Sequence, residues 1–230
     1  MNIAIIPAAG AGRRMKAARS KPFLELGGVP VIIHTLRKFE QCSAIDHCIV
    51  VLPSEQAAEF LSLANKYGLR KISRVVSGGQ ERQDSVYKGL SAIESNKVEV
   101  VAVHDGVRPF VTPDQIAAVV EKAKQSGAAI LAVPAVDTIK QVAGGKIIAT
   151  LERSRIYHAQ TPQAFRYPII REAYERAQAE GVLATDDASL VERLGAPVYI
   201  VEGSPNNIKI TRPSDLAIAE LILKENQLLS

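Results

Sequence analysis

The sequence predicts an α/β protein whose mostly parallel, twisted sheet carries helices on both faces, and three observations lead there. Val- and Ile-rich runs of strand length alternate with amphipathic segments through the first 135 residues, the first run passes directly into a loop of small residues, and after residue 135 a hairpin pattern centred on Gly144 and Gly145 takes over. Continuous apolar strands separated by helices mark a sheet covered on both faces. The class is Rossmann-like, with a β-hairpin arm added.

Taken in order, residues 2–7 read as a buried strand and residues 30–40 as a helix opened by Pro30 in its first turn. Residues 47–52 form the second strand, residues 55–67 a helix stopped by Gly68, and residues 72–76 a short third strand. A helix over 80–93 and a strand over 98–104 follow. Thr112 then starts a helix with Pro113 at its first position, and residues 128–133 close the series as the fifth strand. Residues 138–142 and 146–151, joined by Ala143-Gly144-Gly145, read as the hairpin. An excursion of this kind leaves open edges, so it is either a dimerisation arm or a hairpin folded back on its own domain. The chain returns through residues 157–160, helices over 168–180 and 186–194, a strand over 197–201 and a last helix over 213–224. No linker or repeat divides residues 1–230, which are expected to form one domain with the arm inserted at about 136–157.

Composition narrows the function. The chain has 47% hydrophobic residues, two cysteines (Cys42 and Cys48) and no CxxC pair or Cys/His cluster, so neither a disulfide framework nor a zinc site is indicated. With no signal-type segment and no apolar run near the ~20 residues of a membrane span, a soluble, cytoplasmic protein with no membrane partner is expected. The net charge of +4 is spread along the chain and aromatic residues make up 5%, which leaves neither a basic stripe nor stacking platforms for nucleic acid.

The loop Pro7-Ala8-Ala9-Gly10-Ala11-Gly12-Arg13-Arg14-Met15, with Lys21 beyond it, brings backbone N–H groups and cations together at the end of the first strand. Small residues allow a polyphosphate to approach the backbone, and cations neutralise it. The spacing is not that of a P-loop, and Met15 stands where a dinucleotide fingerprint has its third glycine. Ligands of open parallel sheets sit beyond the carboxyl ends of the strands. There the third strand delivers a second glycine turn, Ser77-Gly78-Gly79-Gln80, and the fourth delivers His104-Asp105-Gly106-Val107-Arg108. Asp105 is either a ligand for a hard cation such as Mg²⁺, with phosphate oxygens completing its shell, or the cap of a turn. Arg108 suits bidentate capture of a phosphate or a salt bridge with Asp105. The four histidines have no ligand spacing, and no Gly-x-Ser-x-Gly elbow occurs. A cationic site without a covalent nucleophile fits phosphoryl or nucleotidyl transfer.

These residues match a known family in order along nearly the whole chain. The glycine-arginine loop with Lys21, the turn from Gly78-Gly79 to Asp84-Ser85, Val103-His104-Asp105 with Arg108-Pro109, Asp137-Thr138-x-Lys140, Thr161-Pro162-Gln163, Thr185-Asp186 and Asn207-Ile208-Lys209 together resemble the 2-C-methyl-D-erythritol 4-phosphate cytidylyltransferases of non-mevalonate isoprenoid synthesis. The resemblance implies a nucleotidyltransferase-type fold and transfer of CMP from CTP to methylerythritol 4-phosphate with Mg²⁺ or another divalent cation. It implies Arg14 and Lys21 as transition-state stabilisers, and Arg153 and Lys209 among the catalytic groups. Ala8, Ala9, Gly10, Gly12, Gly79, Gln80 and Ser85 are implied to hold the nucleotide. Asp105, Gly106, Arg108, Thr161 and Thr185 are implied on the substrate side, with Asp105 also assisting the metal. Thr138 and Arg153 are implied to reach a neighbouring subunit's site, which makes a homodimer part of catalysis. Some relatives carry an acidic residue where this chain has Asn206. Two rival readings are a ribitol 5-phosphate cytidylyltransferase, whose loop usually reads Ala-Gly-Gly-x-Gly, and a non-catalytic nucleotide-sensing module on the same fold.

Overall fold

The computed structural model describes residues 1–10 and 21–228. Its main sheet has seven strands: β1 (Asn2–Pro7), β4 (His47–Leu52), β5 (Ile72–Ser77), β6 (Val100–Val103), β7 (Ala128–Pro134), β10 (Tyr157–Arg166) and β11 (Tyr199–Glu202). Short hairpins β2 (Glu25–Leu26) with β3 (Val29–Pro30), and β8 (Lys140–Ala143) with β9 (Lys146–Thr150), complete the strands. The helices are α1 (Val31–Gln41), α2 (Ala57–Lys66), α3 (Arg82–Ser91), α4 (Pro113–Ser126), α5 (Tyr167–Glu180), α6 (Asp187–Glu192) and α7 (Pro213–Leu228).

The strand order is β11-β7-β10-β6-β1-β4-β5. β1 runs parallel to β4 and β6, β4 to β5, and β7 to β11, which makes the sheet mostly parallel as the sequence predicts. β10 is the exception, lying antiparallel between β6 and β7. The sequence pattern predicts only residues 157–160 of it, because polar Gln160, Thr161 and Gln163 interrupt the apolar run. All three polar side chains are nevertheless buried. The β2-β3 hairpin is not predicted either, because two-residue strands carry no periodicity; Gly27 and Gly28 turn it with φ of +57° and +77°.

Alternation along the strands divides the core. Ala4 and Ile6 of β1 face one side with Val50 and Leu52 of β4, under Ile32, Leu36 and Phe39 of α1 and Ile116 and Val119 of α4. Ile3 and Ile5 face the other side with Ile49 and Val51, under Val86 and Leu90 of α3 and Ile170 and Tyr174 of α5. Each face is sealed by helices, so the central strands must be apolar on both sides. The start of α4 follows its local chemistry. Thr112 Oγ1 accepts from Gln115 N at 3.2 Å, Thr112 N donates to Gln115 Oε1 at 3.1 Å, and Pro113 stands at the first turn.

The arm turns at Gly144 and Gly145, with φ of +55° and +77°, the positive pair that a two-residue hairpin turn requires. Its apolar side chains Val142, Ile147 and Ile148 are 55–63% exposed. Among the described residues no helix is long and apolar enough to cross a membrane.

Candidate active site

On either side of β1 the chain leaves in opposite directions, to β4 on one flank and to β6 on the other. That point of divergence opens a crevice at the carboxyl ends of the strands. A cleft of about 390 Å³ lies there, between the loops after β1, β5 and β6 and the segment that precedes α7.

Ala8, Ala9 and Gly10 form its floor, with Lys21 and Pro22 on one wall. Close backbone approach explains the glycines opposite. A Cβ on Gly78 would stand 2.1 Å from the Ala9 Cβ, and one on Gly79 would stand 2.2 Å from the Asp84 Cβ. Gly79 N donates to Ser85 Oγ at 3.1 Å, while Glu81 and Asp84 exchange side-chain and backbone bonds that cap α3. Gln80 and Ser85 line the same wall. Gly106 packs its α-carbon against Ala8, where a Cβ would be 3.0 Å from the Ala8 Cβ.

Asp105 is the electrostatic centre. Its side chain is 7% exposed, and it accepts from Arg82 Nε at 2.9 Å, Lys209 Nζ at 2.9 Å and Arg108 Nε at 3.4 Å. Burial would raise the pKa of this carboxyl, but the charges of Arg82, Lys209 and Arg108 outweigh it and hold Asp105 well below the usual carboxylate range. Arg108 makes the salt bridge with Asp105 and also donates from Nη1 to the Asn207 carbonyl at 2.7 Å. Asn207 in turn donates to Gln160 Oε1 and to the Thr161 carbonyl, tying the Lys209 segment to β10.

Arg82 stands in the second glycine turn with no role that the sequence assigns. It opens α3, where the helix dipole disfavours a cation, so its presence there calls for a carboxylate partner. It has two: besides Asp105, its Nη1 and Nη2 donate to Asp187 Oδ1 and Oδ2 at 3.0 and 2.8 Å. Asp187 is fully buried and accepts a short bond from the Tyr174 hydroxyl. Nothing local in the sequence pairs residues so far apart as 82, 174 and 187.

The cleft thus gathers Ala8, Ala9, Gly10, Lys21, Gly79, Gln80, Ser85, Asp105 and Lys209 of the expected residues. Gly106, Arg108 and Thr161 support it from behind, Thr161 by accepting from Asp105 N at 3.1 Å. Thr138, Arg153 and Thr185 are exposed and do not line it; Arg153 donates to the Val136 carbonyl at 2.7 Å. Asn206 is exposed as well. Gly12 and Arg14 lie outside the described residues.

Among the described residues no group of three or more His, Cys, Asp or Glu side chains could by itself hold a metal ion. One carboxylate completed by substrate phosphates is nonetheless a usual Mg²⁺ arrangement. Asp105 has about four acceptor positions and three cations on them, so it offers a divalent ion a minor share of its ligands. A triphosphate bound in the cleft would supply the rest.

The family model described as 2-C-methyl-D-erythritol 4-phosphate cytidylyltransferase matches residues 2–225. Curated proteins of that name from Bacillus licheniformis and Syntrophus aciditrophicus are 50% and 49% identical to this chain, over 96% and 98% of it and 94% and 97% of their own lengths. A crystal structure of 4-diphosphocytidyl-2C-methyl-D-erythritol synthase from Anaerococcus prevotii superposes with a TM-score of 0.87 at 31% identity, covering 97% of this chain and 96% of that one. The Thermus thermophilus 2-C-methyl-D-erythritol 4-phosphate cytidylyltransferase superposes with a TM-score of 0.76 at 33% identity, covering 97% and 100%. Matched by the family model over residues 2–225 and by curated relatives at about half identity along nearly the whole of its length, the chain belongs to the 2-C-methyl-D-erythritol 4-phosphate cytidylyltransferase family.

Proposed function

We propose that the cleft is where this chain carries out the reaction of its family, binding CTP and 2-C-methyl-D-erythritol 4-phosphate and transferring CMP between them to give 4-diphosphocytidyl-2-C-methyl-D-erythritol and pyrophosphate. The observation that carries this reading is a cation-ringed cleft with small-residue walls at the β1/β6 divergence, in a chain of this family. A phosphate oxygen of the acceptor attacks the CTP α-phosphorus in line. The bond to the β-phosphate breaks, and its electron pair leaves with pyrophosphate.

Ala8, Ala9, Gly10, Gly79, Gln80 and Ser85 hold the nucleotide, largely through backbone groups that the glycines bring within reach. Gly12, outside the described residues, is assigned with them to the nucleotide, and Lys21, with Arg14 likewise outside the described residues, stabilises charge on the α-phosphate and the departing pyrophosphate. Lys209 and Arg108 orient the acceptor phosphate, with Gly106 and Thr161 shaping its side of the cleft. Asp105 holds Arg108 in place and, until the acceptor binds, Lys209; it would lend an oxygen to a divalent cation, whose contribution would be to neutralise phosphate charge. Residues 1–230 act as one domain, and the arm at about 136–157 pairs two subunits through its exposed apolar side chains, carrying Thr138 and Arg153 toward the partner's cleft.

Pyrophosphate release with CTP and Mg²⁺, run in parallel with methylerythritol 4-phosphate and with ribitol 5-phosphate, tests the reading. Release with the first acceptor alone is expected. Release with ribitol 5-phosphate alone moves the enzyme to polyol cytidylyl transfer, and nucleotide binding without release with either acceptor reduces it to a sensing module.

A further inference from the structure

Among the described residues three cations surround Asp105, and they are not equivalent. Arg108 is 13% exposed and tethered to the Asn207 carbonyl, and Arg82 is gripped by both oxygens of Asp187. Lys209 is the most exposed of the three, at 39%, and it reaches Asp105 from the cleft wall. Of these three, Lys209 is therefore the one on which an anionic group entering the cleft draws first. Lys209 can leave Asp105 at low cost only if that buried carboxylate keeps another cation, because an unpaired buried charge is strongly unfavourable.

We infer that Asp187, steadied by the Tyr174 hydroxyl, is a positioning residue that locks Arg82 onto Asp105 and so frees Lys209 for the phosphate of the acceptor substrate. Arg82 spends Nε on Asp105 and one N–H from each terminal nitrogen on Asp187, so the guanidinium plane is fixed by three bonds from two carboxylates. Asp187 is 0% exposed and Tyr174 1%, so neither touches substrate, and both act through Arg82. Asp187 is itself held from β10, since Gln163 Oε1 accepts from the backbone N–H groups of Asp187 and Ala188 at 3.0 and 2.9 Å. The chain Tyr174, Asp187, Arg82, Asp105, Lys209 thus runs from the α5 core to the cleft.

The inference rests on the functional reading above, and Asp187→Asn and Tyr174→Phe test it by steady-state kinetics in both substrates. Asp187→Asn should raise the KM for methylerythritol 4-phosphate about tenfold and lower kcat, leaving the KM for CTP within about twofold. Tyr174→Phe keeps the ring and should shift the acceptor KM in the same direction by about threefold. A general loss of packing would instead lower the melting temperature without separating the two KM values. If Asp187→Asn does not fold, Tyr174→Phe decides: a selective rise in acceptor KM upholds the role. Unchanged constants, or equal rises for both substrates, overturn it. A wild-type enzyme that releases no pyrophosphate overturns the functional reading and this inference together, whereas an active wild type with unaltered variants overturns this inference alone.

Discussion

The hydroxyl of Thr161 stands 3.1 Å from Nδ1 of His104, and the same oxygen accepts from the Asp105 backbone N–H at 3.1 Å. His104 Nε2 lies 3.0 Å from the Arg108 carbonyl, which can only accept, so Nε2 carries the proton and Nδ1 receives the Thr161 hydroxyl. One neutral imidazole thereby ties the end of β6 to β10 and to the turn that carries Arg108. His104 is fully buried, and desolvation lowers its pKa to about 4, against the smaller opposing effects of the Arg108 carbonyl and the Asp105 charge.

That pairing predicts an acid-sensitive fold. The folded value of about 4 lies below the ordinary 6.5, so the unfolded chain binds the extra proton. The His104 contribution is complete above about pH 6.5 and is lost as pH falls toward the folded value, by on the order of 3 kcal/mol. Chemical denaturation of the wild type and of His104→Gln between about pH 4 and 7 reads this directly. The variant should lack that part of the slope, and superimposable pH profiles would remove His104 as its source.

Lys21→Ala should lower kcat by about 10²-fold or more while leaving CTP affinity nearly unchanged, as expected of a group aimed at developing charge. A change confined to the KM for CTP would assign Lys21 to ground-state binding instead.

Gly79→Ala places a methyl group 2.2 Å from the Asp84 Cβ, at the turn that enters α3. The turn must shift, at a cost of about 1–3 kcal/mol in stability, and the KM for CTP should rise because the Gly79 backbone forms the cleft wall. Wild-type nucleotide binding by calorimetry would show that the backbone there is not used.

Arg153→Ala should leave the melting temperature unchanged, because Arg153 is exposed and its bond goes to the neighbouring Val136 carbonyl. Turnover should fall and the KM for the sugar phosphate should rise if the arm serves a partner's cleft. Replacing both Ile147 and Ile148, 63% and 58% exposed, by Glu should shift sedimentation toward the monomer and reduce activity in step. A monomeric variant with full activity would separate the arm from catalysis.

Chelation of divalent cations should abolish pyrophosphate release without moving the melting temperature of the free enzyme, since among the described residues no cage of carboxylates or imidazoles makes the fold depend on a metal. A large drop in melting temperature on chelation alone would point to a structural ion.

Local chemistry was enough for much of this protein. The Val- and Ile-rich strands, the Thr112–Gln115 cap and the Gly144-Gly145 turn each act through neighbours within a few residues, so periodicity and turn propensity report them. The cleft loops were legible for the same reason: small residues at the ends of strands serve close approach wherever the fold places them. Lys21, Gly79 and Asp105 could be named from the residues, Lys209 from the family resemblance, and Arg108 as one alternative partner of Asp105, but not Arg82 and Lys209 as the other partners that set the charge around it.

Only the tertiary structure decided those partners. β10 reads as polar and broken, yet its Gln160, Thr161 and Gln163 are buried because each finds hydrogen-bonding groups on distant segments. Arg82 gains its meaning from Asp105 and Asp187, 23 and 105 residues away, and Lys209 from Asp105. Hydrophobic burial is nearly non-directional and leaves its period in the chain, whereas a buried ion network depends on the meeting of single atoms from separate elements, and no local pattern encodes that meeting.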